Sequence, residues 1–479
     1  MLLESQEDFF HFSLWYIGRD FAICKNEGGW SPLVASGDPG PNGDPSGVGG
    51  EHYYSLLNTM KRLIEKYIIW CAKRKMRKNT AKVIAITGTV GKSSTKEAIF
   101  TVLKSHYSVR ANYGSLNNEL GLPLAIFGQR NGTNVFSWLW VVLKITFKTF
   151  LFDKKIDIYI LECGIDTPGD MDVILDLIAP DIVVITSVFE EVHMEYFKDF
   201  ATLVTEKWKL AHEAKEGALV IANYDNVPTL EQRSKLVKKR AITFGLNQKA
   251  DYFGHTISFN EAGTDFMVRH RNNEQKFHLA LLGKVQVYTV LPAIIIGREF
   301  NIPWAEIQES LLTIMPLPGR LSLLPAINGA MLLEGSYNAT PSSMKAALEV
   351  FKNLPAKRKI AIVGDMRELG PVAERSHNEI LTLLAKESEI VCMLGPNYEK
   401  AFQDLPSHVR HQAALHHFET REDIVKFIVP KIAPGDLILI KGSQNTILLE
   451  KVSAKLLADP STASTTLPRQ YGKWLSQDA

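Results

Sequence analysis

From residue 82 onward, short runs of almost uninterrupted apolar residues alternate with longer amphipathic stretches. VIAIT (83–87), IDIYILE (156–162), DIVVITSV (181–188), ALVIAN (218–223) and AITFG (241–245) have strand length and are rich in β-branched residues. Runs apolar on both faces predict a parallel sheet covered by helices on each side. Residues 251–282 change period, because TISFNEAGTDFMVRH and QKFHLALL alternate polar and apolar positions and predict antiparallel hairpins. A second series, MLLEGS, KIAIVGD, EIVCMLG and LILIKGS, follows PLPGR (316–320). Its strands carry polar residues at their C-terminal ends, the edge where open parallel sheets take ligands. The predicted fold class is α/β, with a central parallel-sheet domain over 81–316 and a smaller Rossmann-like α/β domain over 317–458.

The flanks read differently. Residues 36–50, SGDPGPNGDPSGVGG, have linker composition, and residues 1–35 are too short for an independent domain. Tyr53–Lys78 is a predicted helix with apolar Leu56, Leu57, Met60, Ile64, Tyr67 and Ile68. Its basic end, KRKMRKN, reads as a solvated helix C-terminus favoured by the dipole. Residues 459–479 have the composition of a disordered tail. VFSWLWVVLKITFKTFLF (135–152) approaches the length of a membrane span. Burying Lys144 and Lys148 in hydrocarbon would cost several kcal/mol, which argues against a span. An amphipathic helix with both lysines reaching solvent leaves two readings open, packing on protein or peripheral contact with a membrane.

Composition narrows the class. The 479 residues are 46% hydrophobic and 22% charged with a formal net charge of +2, an ordinary globular balance. Near-neutral charge argues against a dedicated nucleic-acid binder. Cys24, Cys71, Cys163 and Cys392 are far apart, which argues against a zinc site or disulfide framework and fits a reducing cytoplasm. The start, MLLESQEDFFHFSLW, lacks the basic and apolar regions of a signal peptide.

The chemistry begins where VIAIT runs into Gly88-Thr89-Val90-Gly91-Lys92-Ser93-Ser94 and then a predicted helix, Ser94–Leu103. Glycines let backbone N–H groups turn inward, and the helix N-terminus favours phosphate. Lys92 can neutralise β/γ-phosphates and the Ser93 hydroxyl can ligate Mg²⁺. Ile86 stands where the full motif has its first glycine, so the loop alone supports only nucleotide binding. With strand before and helix after, it makes the central domain a P-loop ATPase domain. Glu162, His193 and Lys207 fall near the same sheet edge. Glu162 suits Mg²⁺ and His193 a second metal position, whereas Lys207 by itself reads as a solvated helix residue. Asp166 and Asp170 read as turn and cap residues.

These motifs, with NNELGLPL (117–124), PGR (318–320), GSYNATPSSMKAAL (335–348), GDMRELG (364–370) and KGS (441–443), resemble the Mur ligases of peptidoglycan assembly. The resemblance spans about residues 82–455, in the branch that joins D-alanyl-D-alanine to UDP-MurNAc-tripeptide. It implies an ATP- and Mg²⁺-dependent cytoplasmic ligase, with two ions, a UDP-sugar peptide and a dipeptide as substrates. By residue, it implies that the loop and Asn118 hold nucleotide and the first ion, and that Ser93, Glu162 and His193 hold metal. Lys207 would be carbamylated and support metal. Arg320, Tyr337 and Asn338 would reach ATP, while Asp365, Lys441 and Ser443 would shape the amine side. Lys92, Lys207, His193 and Arg320 form the implied catalytic set.

The chain also departs from that pattern. Gly283-Lys284-Val285-Gln286 replaces Gly-x-His-Asn, Glu334-Gly335 replaces an acidic pair, and Trp208-Lys209 replaces Gly-Glu after Lys207. Residues 1–80 do not resemble the family's sugar-binding domain. Two other readings stay open: a related carboxylate–amine ligase with a different substrate, and a non-catalytic nucleotide-binding scaffold.

Overall fold

The computed structural model describes residues 23–26, 29–32, 48–112, 120–132, 135–151, 154–190, 196–444 and 446–470. Strands β1 (Ile23–Asn26) and β2 (Gly29–Pro32) form an antiparallel pair. Helix α1 (Val48–Arg77) starts five residues before the predicted one and so takes in the last residues of the Gly-rich stretch.

The first sheet joins β3 (Lys82–Thr87), β4 (Val109–Ala111), β5 (Ile158–Glu162), β6 (Ile182–Ile185), β7 (Leu219–Asn223) and β8 (Arg240–Gly245) with β9 (Tyr252–Asn260), β10 (Gly263–His270) and β11 (Asn273–Leu279). Their spatial order is β11-β10-β9-β8-β7-β6-β3-β5-β4. Pairing is parallel from β4 across to β9 and antiparallel from β9 to β11, as the change of period predicts. β3 lies inside the sheet, and the period of two sends its side chains to both faces. Val83 and Ala85 pack with Phe127 and Trp208. Ile84 and Ile86 pack with Val290 and Ile294 on the opposite side. Each fully buried aliphatic side chain contributes about 1.5–3 kcal/mol, so a strand buried on both faces is strongly held.

The covering helices include α2 (Lys92–Leu103), α3 (Gly121–Ile126), α4 (Val135–Phe150), α5 (Asp170–Leu177) and α6 (Phe200–His212). Asp170, expected as a cap, is instead the first residue of α5 and holds the preceding turn, accepting from the Asp166 and Thr167 amides at 2.8 and 2.7 Å.

A second sheet of six strands contains Ser322–Pro325, Met331–Glu334, Asp436–Lys441, Arg358–Gly364, Ile390–Leu394 and Ala414–Phe418, in that spatial order. Only the first pair is antiparallel. Each sheet carries its own apolar cores.

Two expectations need correction. Of the pair expected in solvent, Lys148 turns inward and donates to the Phe127 carbonyl at 2.6 Å, while Lys144 lies 5.2 Å from the Trp140 ring. The carbonyl gives the Lys148 ammonium a hydrogen bond that a solvent-facing rotamer would exchange for water. The expected disordered tail is partly folded: Pro460–Thr462 and Ala463–Thr466 form helical turns, and Leu467 and Arg469 are buried. One apolar side chain and one paired arginine anchor a segment whose average composition is polar. Residues 471–479 lie outside the described residues. No helix among the described residues is long and apolar enough to cross a membrane.

Candidate active site

β3 ends at Thr87, and the chain then turns through Gly88 with φ of 143°. A Cβ there would sit 2.1 Å from Thr186 Oγ1, so the close approach requires glycine. Thr186, at the end of β6, donates its hydroxyl to the Val90 carbonyl at 2.7 Å. The Thr89 amide donates to the Ser187 carbonyl at 2.6 Å, and the Phe189 amide donates to Thr89 Oγ1 at 3.2 Å. Gly91, at φ 86°, is the N-cap residue of α2. The loop is thus shaped by the neighbouring strand, and its residues 89–94 line the cleft.

Charged groups gather behind it. Lys92 Nζ donates to the carbonyls of Gly88 (2.9 Å) and Thr89 (3.3 Å). Burial pushes its pKa down, and the Glu162 carboxylate opposes that shift. Ser93 Oγ donates to Glu162 Oε1 at 3.1 Å, and Lys96 Nζ lies 3.4 Å from Glu162 Oε2. Asn112 fixes the end of β5 by accepting from the Glu162 amide at 2.9 Å. Lys207 is fully buried on α6, with Nζ 3.5 Å from the Gly88 carbonyl. Burial first, and then the neighbouring Lys92 cation, push its pKa down to about 7. The same burial raises the pKa of Asp166. A lysine that the sequence alone placed in solvent is a buried amine at the phosphate loop. Asn118 and His193 lie outside the described residues.

The second sheet contributes the opposite wall. Arg320 Nη2 donates to Ser93 Oγ at 3.1 Å, so one guanidinium spans the two lobes. Its Cζ lies 4.3 Å from the Tyr337 ring centroid, a cation–π contact that orients the fork. Lys441 Nζ donates to the carbonyls of Asn338 (2.8 Å) and Gly335 (3.3 Å). Burial lowers its pKa to about 8, with Glu334 opposing. Burial likewise pushes Glu334 up to about 7.

Two residues expected on the amine side have other partners. Asp365 accepts from the amides of Asn397 and Tyr398 at 3.0 Å each, and so fixes the start of the helix Pro396–Asp404. The Ser443 hydroxyl donates to the Ala339 carbonyl at 3.2 Å and accepts from the Arg367 amide at 3.0 Å, joining two loops. The structure does not bring these side chains to the cleft wall as it does Lys441.

Between the lobes lies a cleft of about 1860 Å³, lined by the loop, Glu162, Asp166, Arg320, Tyr337, Asn338 and Lys441. Val285 and Gln286, which depart from the expected Gly-x-His-Asn, line it too. Lys61 and Arg62 of α1 join from the N-terminal side.

Sequence reasoning missed Lys96, Asn112, Thr186 and Arg469. Lys96 had a local signal, since it follows Lys92 by four residues and Ser93 by three on one helix. Asn112 and Thr186 act across the sheet and carry no such signal. Arg469 donates from Nη1 to the Tyr337 carbonyl and from Nη2 to the Ser336 carbonyl, each at 2.9 Å. It also pairs with buried Glu450. Its Cζ lies 5.7 Å from the Tyr337 ring, so the supposed tail holds the loop that carries Arg320's partner. Arg469→Ala should destabilise the second lobe by about 3–5 kcal/mol, because Glu450 is left buried and unpaired. Urea unfolding followed by far-UV circular dichroism measures this, and an unchanged midpoint contradicts the clamp.

Residues 86–297 match the Mur ligase middle domain, and residues 319–444 match the Mur ligase glutamate ligase domain. The chain belongs to the Mur ligase family and is an ATP-dependent, ADP-forming ligase. Similar curated proteins are UDP-N-acetylmuramoyl-tripeptide–D-alanyl-D-alanine ligases. That of Bacillus subtilis is 28% identical over 391 residues, covering 81% of this chain and 79% of that protein. That of Escherichia coli is 25% identical over 377 residues, covering 78% of this chain and 76% of that protein. The fold is shared with MurF of Thermotoga maritima in complex with ADP, at TM-score 0.69 and 22% identity over 82% of this chain and 83% of that one. MurF of Acinetobacter baumannii gives TM-score 0.68 and 19% identity over 82% and 79% of the two chains.

Proposed function

We propose that this ligase joins the terminal carboxylate of UDP-MurNAc-tripeptide to the amine of D-alanyl-D-alanine in the cytoplasm, through an acyl phosphate. The observation that carries the reading is the Arg320–Ser93–Glu162 chain, which brings both lobes together at the phosphate loop. The sequence likeness to ligases of that name supports the substrate assignment.

ATP would lie along the loop with its γ-phosphate near Lys92, Arg320 and Ser93. A substrate carboxylate oxygen attacks the γ-phosphorus in line and ADP leaves. The incoming neutral amine attacks the acyl carbon, phosphate leaves, and a proton is lost from nitrogen. Neither step needs a nucleophilic side chain, so positioning and cationic stabilisation carry the rate.

Ser93 Oγ and Glu162 Oε1, 3.1 Å apart, offer the hard oxygens that suit Mg²⁺. When bound, the ion would offset charge on the β- and γ-phosphates. His193 is proposed for a second ion. Lys207, with its pKa near 7, presents enough neutral amine to take up carbon dioxide, and the carbamate would act as a carboxylate facing the metal. Asn118, Tyr337 and Asn338 are assigned to nucleotide. Lys441 is assigned to the amine side, and Lys61 and Arg62 to the diphosphate of the UDP-sugar.

Phosphate release from ATP, measured with both substrates and with each omitted, tests this. Release that requires both is expected. Release with UDP-MurNAc-tripeptide replaced by an unrelated carboxylate would point to another ligase of the superfamily. Bound but unhydrolysed ATP under every condition would leave a scaffold.

A further inference from the structure

Helix α4 has an apolar face that neither the core nor the ligase site uses. At 3.6 residues per turn, Phe136, Leu139, Trp140, Leu143, Phe147 and Phe150 fall in one stripe roughly 100° wide. The stripe faces outward: Phe136 is 83% exposed, Trp140 60% and Phe147 51%. The other side of the helix is already occupied, with Ile145 fully buried and Val141 at 8% in the core. α4 is therefore apolar on both sides, and an exposed stripe of this size marks an interaction surface.

The stripe continues onto α1. The Trp70 and Phe150 rings lie 6.0 Å apart, and Tyr67 Oη lies 2.8 Å from Thr146 Oγ1. Trp70 is 48% exposed and Leu63 61%. The charge around this face is predominantly positive. Arg74 lies over both the Trp70 and Phe150 rings, Lys144 lies over Trp140, and Lys154 and Lys155 follow α4. α4 contains no acidic residue, and from Lys61 to Arg77 the one acid on α1 is Glu65. A second copy of this face would repel the first. A surface of opposite charge would not.

We propose that the α1–α4 face docks on an anionic lipid surface, with Trp140, Phe147 and Phe150 at the headgroup boundary and the cations against lipid phosphates. Exposed aromatics with lysine and arginine around them are the combination such boundaries favour. Docking there is compatible with turnover. The α1 residues that line the cleft, Lys61, Arg62, Glu65 and Ile69, lie on the helix side away from Leu63 and Trp70.

The test is cosedimentation of the full chain with vesicles of phosphatidylglycerol and phosphatidylcholine, compared with phosphatidylcholine alone. Binding to the anionic vesicles is expected, weakened by 0.5 M salt, which screens charges. Trp140→Ser/Phe147→Ser should bind at least about tenfold more weakly while ATP-dependent phosphate release in solution stays unchanged. Lys144→Glu/Lys155→Glu should lose the preference for anionic lipid without losing aromatic surface. Absence of vesicle binding overturns the proposal. Two outcomes would then name the true occupant. A concentration-dependent dimer, lost in the double serine variant, would mean a second copy. Shielding of Trp140 from acrylamide, read against Trp140→Phe, would mean a segment of this chain.

Discussion

Lys92→Ala is expected to lower ATP-dependent phosphate release by about 10³-fold, with little change in unfolding temperature. A unit charge about 4 Å from a phosphate oxygen contributes about 4 kcal/mol at an effective dielectric near 20, which is about 10³-fold in rate. Among the described residues Lys92 Nζ hydrogen-bonds to the carbonyls of Gly88 and Thr89, and the side chain is part-buried with a pKa lowered by desolvation. Alanine therefore removes a cation that burial already disfavours, and the fold loses little. Single-turnover phosphate release checks the rate, and thermal unfolding checks the fold. A variant with normal turnover would remove Lys92 from the phosphate site and with it the proposed geometry.

Lys207→Ala carries the second large expectation, a loss of about 100-fold or more in turnover. Its distinguishing readout is dependence on carbon dioxide. Only the neutral amine forms a carbamate, and the Lys207 pKa of about 7 sets the neutral fraction. Above pH 7 the amine is mostly neutral and carbamylation is favoured. As pH falls from 8 to 6 the ammonium form takes over. Wild-type activity should drop on that descent and also in carbonate-depleted buffer at pH 8. A ¹³C-labelled carbamate signal, absent in Lys207→Ala, provides an independent measurement. If carbonate depletion leaves activity intact and no carbamate signal appears, Lys207 acts as the plain amine.

The sheet architecture was legible because its signals are local. Val83 to Ile86 alternate between two cores, and any strand so placed must be apolar on both faces. The loop was legible for the same reason, since strand, glycines and helix follow one another directly. Glu162 was within reach as the polar end of an apolar strand. Lys207 was not, because its burial depends on the rest of α6 packing under β3 and β6; it entered the site through family likeness alone. Asp365 entered through family likeness too, and no strand pattern shows its local role: the amides of Asn397 and Tyr398, 32 and 33 positions later, donate to its two oxygens. Arg469 was hidden by averaging over a polar segment. Its partners Tyr337 and Ser336 are more than 130 residues earlier, a separation that no window of composition can register.

Arg469 also gives the order of synthesis a chemical meaning. The phosphate loop leaves the ribosome first, and Arg320 follows well before Arg469. The wall that orients Arg320, however, is closed by Arg469. A partly made chain would hold a formed loop and an unclamped arginine. ATP turnover would switch on only once Arg469 has been translated and seated, so chains terminated before it should be poor consumers of nucleotide.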